Sequence, residues 1–109
     1  MSGSDLLKIE FYVPEEQLEQ VKQAMFDAGA GRVGDYDCCA WQVLGQGQYR
    51  PGATSTPFKG KQGRLERLSE YKVEMVCREE FIASAINAMK DSHPYEEVAY
   101  SVFRTEAIK

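Results

Sequence analysis

The chain repeats itself. Glu15-Glu16 opens a stretch that ends Ala24-Met25-Phe26-Asp27, and Glu79-Glu80 opens another that ends Ala88-Met89-Lys90-Asp91. Leu18 corresponds to Ile82 and Val21 to Ala85, and each copy follows an alternating apolar run. Two strand-then-helix units in a chain of 109 residues leave few architectures open.

In the first unit Leu7, Ile9, Phe11 and Val13 alternate with Lys8, Glu10 and Tyr12, the pattern of a strand with one face buried. Pro14 ends the strand and suits the first turn of a helix, where its missing N–H costs nothing. Glu15 and Glu16 fall where the helix dipole favours negative charge. Leu18, Val21, Met25 and Ala28 then share one helical face, and Gly29 stops the helix. The second unit runs as a strand over Leu68–Cys77, then a helix opened by Glu79 and Glu80 with Ile82, Ala85, Ile86 and Met89 buried. Ser92-His93-Pro94 terminates it, because a residue preceding proline is pushed out of the helical region. Val98, Tyr100 and Val102 mark a last strand.

Between the units, Tyr36 to Leu44 reads as a strand, Gly45-Gln46-Gly47 as a turn, and Gln48-Tyr49-Arg50 as a short return strand, with Trp41 and Tyr49 facing each other across that hairpin. Residues 51–63 form a loop rich in glycine and proline, long enough to suggest a functional role. The order predicts one α+β domain over 1–109: a ferredoxin-like split βαβ sandwich, with an antiparallel four-stranded sheet, two helices on one face and a β-hairpin extension. The other face, with Lys8, Glu10, Tyr12, Lys72 and Glu74, is left to water or to an oligomer contact.

The formal charge of -4 argues against nucleic acid, which needs a clustered positive face. No apolar stretch has bilayer-spanning length, and Met1–Asp5 carries no signal-peptide pattern, so the expectation is a cytoplasmic protein without a membrane partner. Three cysteines without framework spacing fit reduced thiols.

His93-Pro94-Tyr95-Glu96-Glu97 is the densest polar group. The lone histidine stands at a helix C-terminus, where the dipole favours its protonated form. With Tyr36, Arg50 and Lys59, the residues His93, Tyr95, Glu96 and Glu97 make up the candidate contacts to a ligand or protein partner. A metal reading takes His93 and Glu97 with Cys38, or a cysteine of the Cys38-Cys39 pair with Cys77 and His93. Against it, neighbours on a strand point to opposite faces, and buried cysteines serve as small hydrophobes. Gly29-Ala30-Gly31-Arg32-Val33-Gly34 spells a dinucleotide fingerprint but follows a helix instead of heading one, so it reads as a turn. No nucleophile with a base partner appears, which predicts a protein without catalysis and without a cofactor.

Phe11-Tyr12-Val13-Pro14-Glu15-Glu16, Gly29-Ala30-Gly31, Gly34-Asp35-Tyr36, Gly45-Gln46-Gly47, Pro57-Phe58-Lys59-Gly60 and His93-Pro94-Tyr95-Glu96-Glu97-Val98-Ala99-Tyr100 together resemble the insert domain of the Nif-three-like dinuclear-metal hexamer family. The resemblance covers nearly the whole chain. It implies a fold similar to PII signalling and CutA metal-tolerance proteins, a homo-oligomer (trimer or dimer), and a lid or regulatory role in a module standing alone. It carries over no metal ligand, since that family's metals sit in a surrounding body. Ser101 and Arg32 depart from the family pattern, which more often has an acid and a histidine there. The alternatives it leaves are a divalent-ion tolerance protein similar to CutA, built on His93, Glu96, Glu97 and the thiols, and a PII-like nucleotide sensor using Lys59, Lys61 and Arg64.

Overall fold

In the computed structural model, which describes residues 3–108, each half of the repeat folds as its alternation predicts. Strand β1 (Gly3–Val13) buries Leu7, Ile9, Phe11 and Val13. Pro14, in an extended conformation, precedes helix α1 (Glu15–Asp27), which buries Leu18, Val21 and Met25. The helix ends at Gly29, whose φ of 110° is left-handed; its N–H bonds to Phe26 O (3.0 Å) and that of Ala30 to Met25 O (3.1 Å). Those two bonds satisfy carbonyls the helix would otherwise leave open. A Cβ at Gly29 would also lie 2.8 Å from the Phe81 ring, so glycine is needed here twice over.

Strand β2 (Trp41–Tyr49) and strand β3 (Glu66–Arg78) follow, then a single 3-10 turn (Glu79–Phe81), helix α2 (Ile82–Ser92) and strand β4 (Tyr100–Glu106). The four strands pair antiparallel in the order β2-β3-β1-β4. Both helices cover one face, where Ile9, Phe11, Val13, Val73, Met75 and Cys77 of the sheet meet Leu18, Val21 and Met25 of α1 and Ala85 and Met89 of α2. Burying these side chains supplies the main favourable term of folding, roughly 1.5–3 kcal/mol for each large one.

The opposite face is uncovered and polar. Glu10 lies directly across from Glu74, an unfavourable pairing in isolation. Lys8 and Lys72 resolve it: Lys8 Nζ is 2.6 Å from Glu74 and 3.6 Å from Glu10, and Lys72 Nζ is 3.3 Å from Glu10 and 3.5 Å from Glu74. Among the described residues no helix is long and apolar enough to cross a membrane.

Several boundaries differ from the sequence expectation. Gly45-Gln46-Gly47 is not a turn: β2 runs unbroken through it, each residue registered against β3 from Glu70 to Leu68. The hairpin is therefore β2 with β3, joined by residues 50–65, and Trp41 and Tyr49 lie along one strand instead of facing across two. Glycine dipeptide spacing signals a turn only when the backbone leaves the extended region, and neither Gly45 nor Gly47 has a positive φ. Residues 36–40 are not strand. Val33 and Tyr36 exchange both backbone bonds (2.9 Å each), and Cys39 N–H goes to Gly31 O (2.8 Å), so the segment bonds to itself and to the helix-end turn. Cys38 has a φ of 55°, which removes the alternating geometry expected of a Cys38-Cys39 strand pair. Val98 precedes β4 and packs against the core.

Candidate ligand-binding cleft

The connector from α2 to β4 carries the polar group that the sequence singles out, and it wraps around the end of the sheet. His93 is its inner anchor. The ring is 8% exposed, the one buried polar side chain among the described residues. Its Nε2 is 2.7 Å from Tyr12 O of β1, and its Nδ1 accepts the backbone N–H of Tyr95 at 3.2 Å. Since Tyr95 N–H donates to Nδ1, that nitrogen carries no proton, and Nε2–H donates to Tyr12 O. The ring is thus a neutral imidazole with both nitrogens committed. Burial pushes its pKa below the ordinary value, while the bond to Tyr12 opposes that shift in part. The dipole argument for a charged histidine fails here because the ring turns into the sheet, away from water.

Tyr95 comes next and reaches the uncovered face. Its ring lies 4.7 Å from that of His93, and its hydroxyl donates to Glu70 Oε2 at 3.2 Å. Burial first, then the neighbouring Glu70 carboxylate, raises the Tyr95 phenol well above its usual range. Burial likewise raises Glu70, with the Tyr95 hydroxyl working against it. Glu70 can lie across β2 because Gly47 has no side chain: a Cβ there would sit 2.0 Å from Glu70 Oε1. That close approach is the physical use of a glycine in mid-strand.

Glu96 ties the connector to the long loop, accepting Thr56 N–H at 3.0 Å and Thr56 Oγ1–H at 3.1 Å. The loop is itself ordered by short bonds: Gly63 N–H to Pro51 O (2.6 Å), Ser55 Oγ–H to Gly52 O (2.8 Å) and Gln62 Nε2–H to Ser55 O (2.7 Å). Tyr49 at the end of β2 donates its hydroxyl to Lys59 O at 2.6 Å. Loop, connector and sheet end enclose a cleft of about 340 Å³ lined by Tyr12, Tyr49, Arg50, Pro51, Pro57, Phe58, Lys59, Glu70, Tyr95, Glu96 and Glu97, among others. Phe58 and Tyr95 meet there with ring centroids 6.3 Å apart at 47°.

Of the residues singled out from sequence, Arg50, Lys59, Tyr95, Glu96 and Glu97 are brought together in this cleft, and His93 supports it from behind. Tyr36 is 75% exposed in its own tight turn and does not line it. The metal set is not assembled. His93, Glu97 and Cys38 do not converge, and no group of three or more His, Cys, Asp or Glu among the described residues is placed to hold an ion. Cys77 is buried beneath the sheet and Cys38 exposed in the helix-end loop. Tyr12, Glu70 and Phe58 were missed. The outward parity of Tyr12 and Glu70 was legible, but their meeting depends on the β1–β3 register, which spacing alone does not give.

No protein-family model matches the chain. It is 43% identical over 101 residues to a Mycobacterium tuberculosis protein named "GTP cyclohydrolase 1 type 2 homolog" and 44% identical over 101 residues to a Bacillus subtilis protein of the same name. Each match covers 93% of this chain and 27% of the relative, so the chain spans about a quarter of the length of the curated relatives it matches. Among solved structures it superposes on a Bacillus cereus protein related to NIF3 with a TM-score of 0.80 at 33% identity, covering 98% of this chain and 27% of that one. It also superposes on CutA from Xylella fastidiosa with a TM-score of 0.71 at 17% identity, covering 97% of this chain and 88% of that one, which establishes the shared α+β fold.

Proposed function

We propose that this chain is a non-catalytic binding module equivalent to the domain it matches within the longer NIF3-related proteins, and that it works by taking a small ligand into the cleft above Tyr95 in a lid or regulatory role. The observation that carries the reading is the convergence of the ordered 50–65 loop and the 93–99 connector on one pocket, held by the Glu96–Thr56 bonds. Chemistry inside the pocket is quiet. Tyr49 and Tyr95 donate their hydroxyls to Lys59 O and Glu70, and the one nearby imidazole has both nitrogens spent. The name carried by the longer relatives concerns whole proteins about four times the span matched here, and nothing in this cleft supports such an activity by itself.

The module acts in an assembly of like chains. Both edge strands present apolar side chains, Trp41, Val43 and Leu44 on β2 and Val102 and Phe103 on β4, a surface that favours association.

The test is a fragment screen by amide chemical shifts on the intact chain. The reading requires at least one compound that shifts Tyr49, Phe58 and Tyr95 together. A library that moves residues elsewhere and never these three would overturn it. Mass in solution by light scattering tests the assembly, and a monomer at all concentrations would end that part.

A further inference from the structure

We infer that the cleft takes a planar ring bearing an anionic group, with the ring against Phe58 and Tyr95 and the anion at Arg50 and Lys59. The inference rests on the reading of the cleft as a ligand site and deepens it by naming the ligand's chemistry.

The charges decide the sign. Five charged side chains line the cleft: Arg50, Lys59, Glu70, Glu96 and Glu97. Two of the carboxylates are already used. Glu96 accepts both donors of Thr56 and Glu70 accepts the Tyr95 hydroxyl, so their acceptor oxygens are turned onto neutral groups of the cleft wall although their charge remains. Neither Arg50 nor Lys59 has a carboxylate within ion-pair distance among the described residues. Arg50 and Lys59 are therefore the two charged donors of the cleft that no carboxylate pairs, against a lining that also holds three carboxylates. An arginine offers a fork of donors suited to a carboxylate or phosphate, and the ammonium of Lys59 adds a point charge.

The walls decide the shape. Phe58 is 47% exposed although it sits over a pocket, so a large part of its ring is uncovered. Tyr49 and Tyr95 each have their hydroxyl pinned, which fixes their rings without any ordering cost on binding. Lys59 Nζ lies over the Phe58 ring, 5.9 Å from its centroid, so cation and aromatic surface stand together in the cleft. A volume of about 340 Å³ is at the small end of ligand pockets, roughly 300–1,000 Å³, and suits one ring or two fused ones.

A matched series separates these features: 2-naphthoate, its neutral amide 2-naphthamide, its cationic analogue 2-naphthylmethylammonium, and the ringless anion adipate, each titrated by amide shifts of Tyr49, Phe58 and Tyr95. The expected result is that naphthoate binds more tightly than the other three. Arg50→Gln and Lys59→Gln, both at exposed positions, should each weaken it by about tenfold or more, the loss of a hydrogen bond to a charged group. Glu97→Gln should tighten it. Naphthamide or the ammonium binding as well as naphthoate overturns the anion, and adipate binding as well overturns the ring. In each of those cases the cleft remains a ligand site. If none of the four moves the three amides, the ligand class falls, while the fragment screen alone decides whether the cleft is a ligand site.

Discussion

Acid should unfold this chain through one ring. His93 is the sole histidine, so any stability change between about pH 5 and pH 6.5, above the usual carboxylate range, reports on it before any other group of ordinary pKa. In the unfolded chain the imidazole takes up a proton near 6.5; in the folded chain burial opposes the charge and uptake needs a lower pH. The structure adds a specific reason. A proton on Nδ1 would face the Tyr95 N–H that now donates to it. Between the two values the unfolded state binds more protons. Stability is therefore fully present above the ordinary value and is lost as pH falls toward the depressed folded value, with a slope of up to about 1.4 kcal/mol per pH unit. Glu70 works in the opposite sense: burial raises its folded pKa above 4.5, so its contribution favours the folded chain at low pH and is lost as pH rises. A Glu70→Gln background removes that opposition. Urea midpoints taken from about pH 8 to pH 5 measure the slope, and His93→Gln should abolish it, because the amide keeps the donor to Tyr12 O but cannot titrate. The same substitution should cost about 1–3 kcal/mol at high pH, leaving Tyr95 N–H without its acceptor. A flat wild-type profile, a slope that survives in His93→Gln, or a ring titrating at or above its free value would refute the reasoning.

Other outcomes follow from single contacts. Gly29→Ala should destabilise by at least about 1–2 kcal/mol in urea, since alanine must adopt a left-handed φ and its Cβ meets Phe81 at 2.8 Å. Gly47→Ala should change stability by less than about 1 kcal/mol yet swing the Glu70 carboxylate away, which lowers the Tyr95 phenol pKa in a tyrosine-resolved NMR titration; an unmoved Tyr95 would contradict the geometry. Glu96→Ala should leave the melting temperature nearly unchanged while hydrogen exchange at the Thr56 amide speeds up, because both bonds it removes are exposed. Phe11→Ala, at a fully buried position between sheet and helices, should cost about 3–5 kcal/mol, read from the urea midpoint.

The repeat made the architecture legible because each half carries both periods, alternate residues in the strands and the helical stripe after them. Leu7 to Val13 and Leu18 to Met25 are buried at the positions those periods require. What spacing could not supply was pairing. Gly45-Gln46-Gly47 has the composition of a turn, and only the register against Glu70–Leu68 shows that it is strand. His93 stands out in the sequence by its neighbours, but its neutral state follows from burial and from the Tyr95 N–H that donates to Nδ1, while its anchor to Tyr12 O spans 81 positions of sequence. Arg50, Lys59, Glu96 and Glu97 were visible as polar groups on two separate segments. That Thr56 joins those segments is a fact of tertiary packing, with no local signature.

The 93–99 connector begins with a ring anchored to β1 and continues directly into a wall of the cleft. Whatever presses on that wall is therefore one side chain removed from the interior. A molecule that shifted Tyr95 by a fraction of an ångström would tug the backbone amide that His93 holds, and the strain would arrive at Tyr12, next to the last residue of β1, where that strand pairs with Lys72 of β3. Occupancy at the surface and the pairing at the end of the sheet are linked by the shortest of levers, so tighter-binding variants at Tyr95 will change fold stability along with affinity.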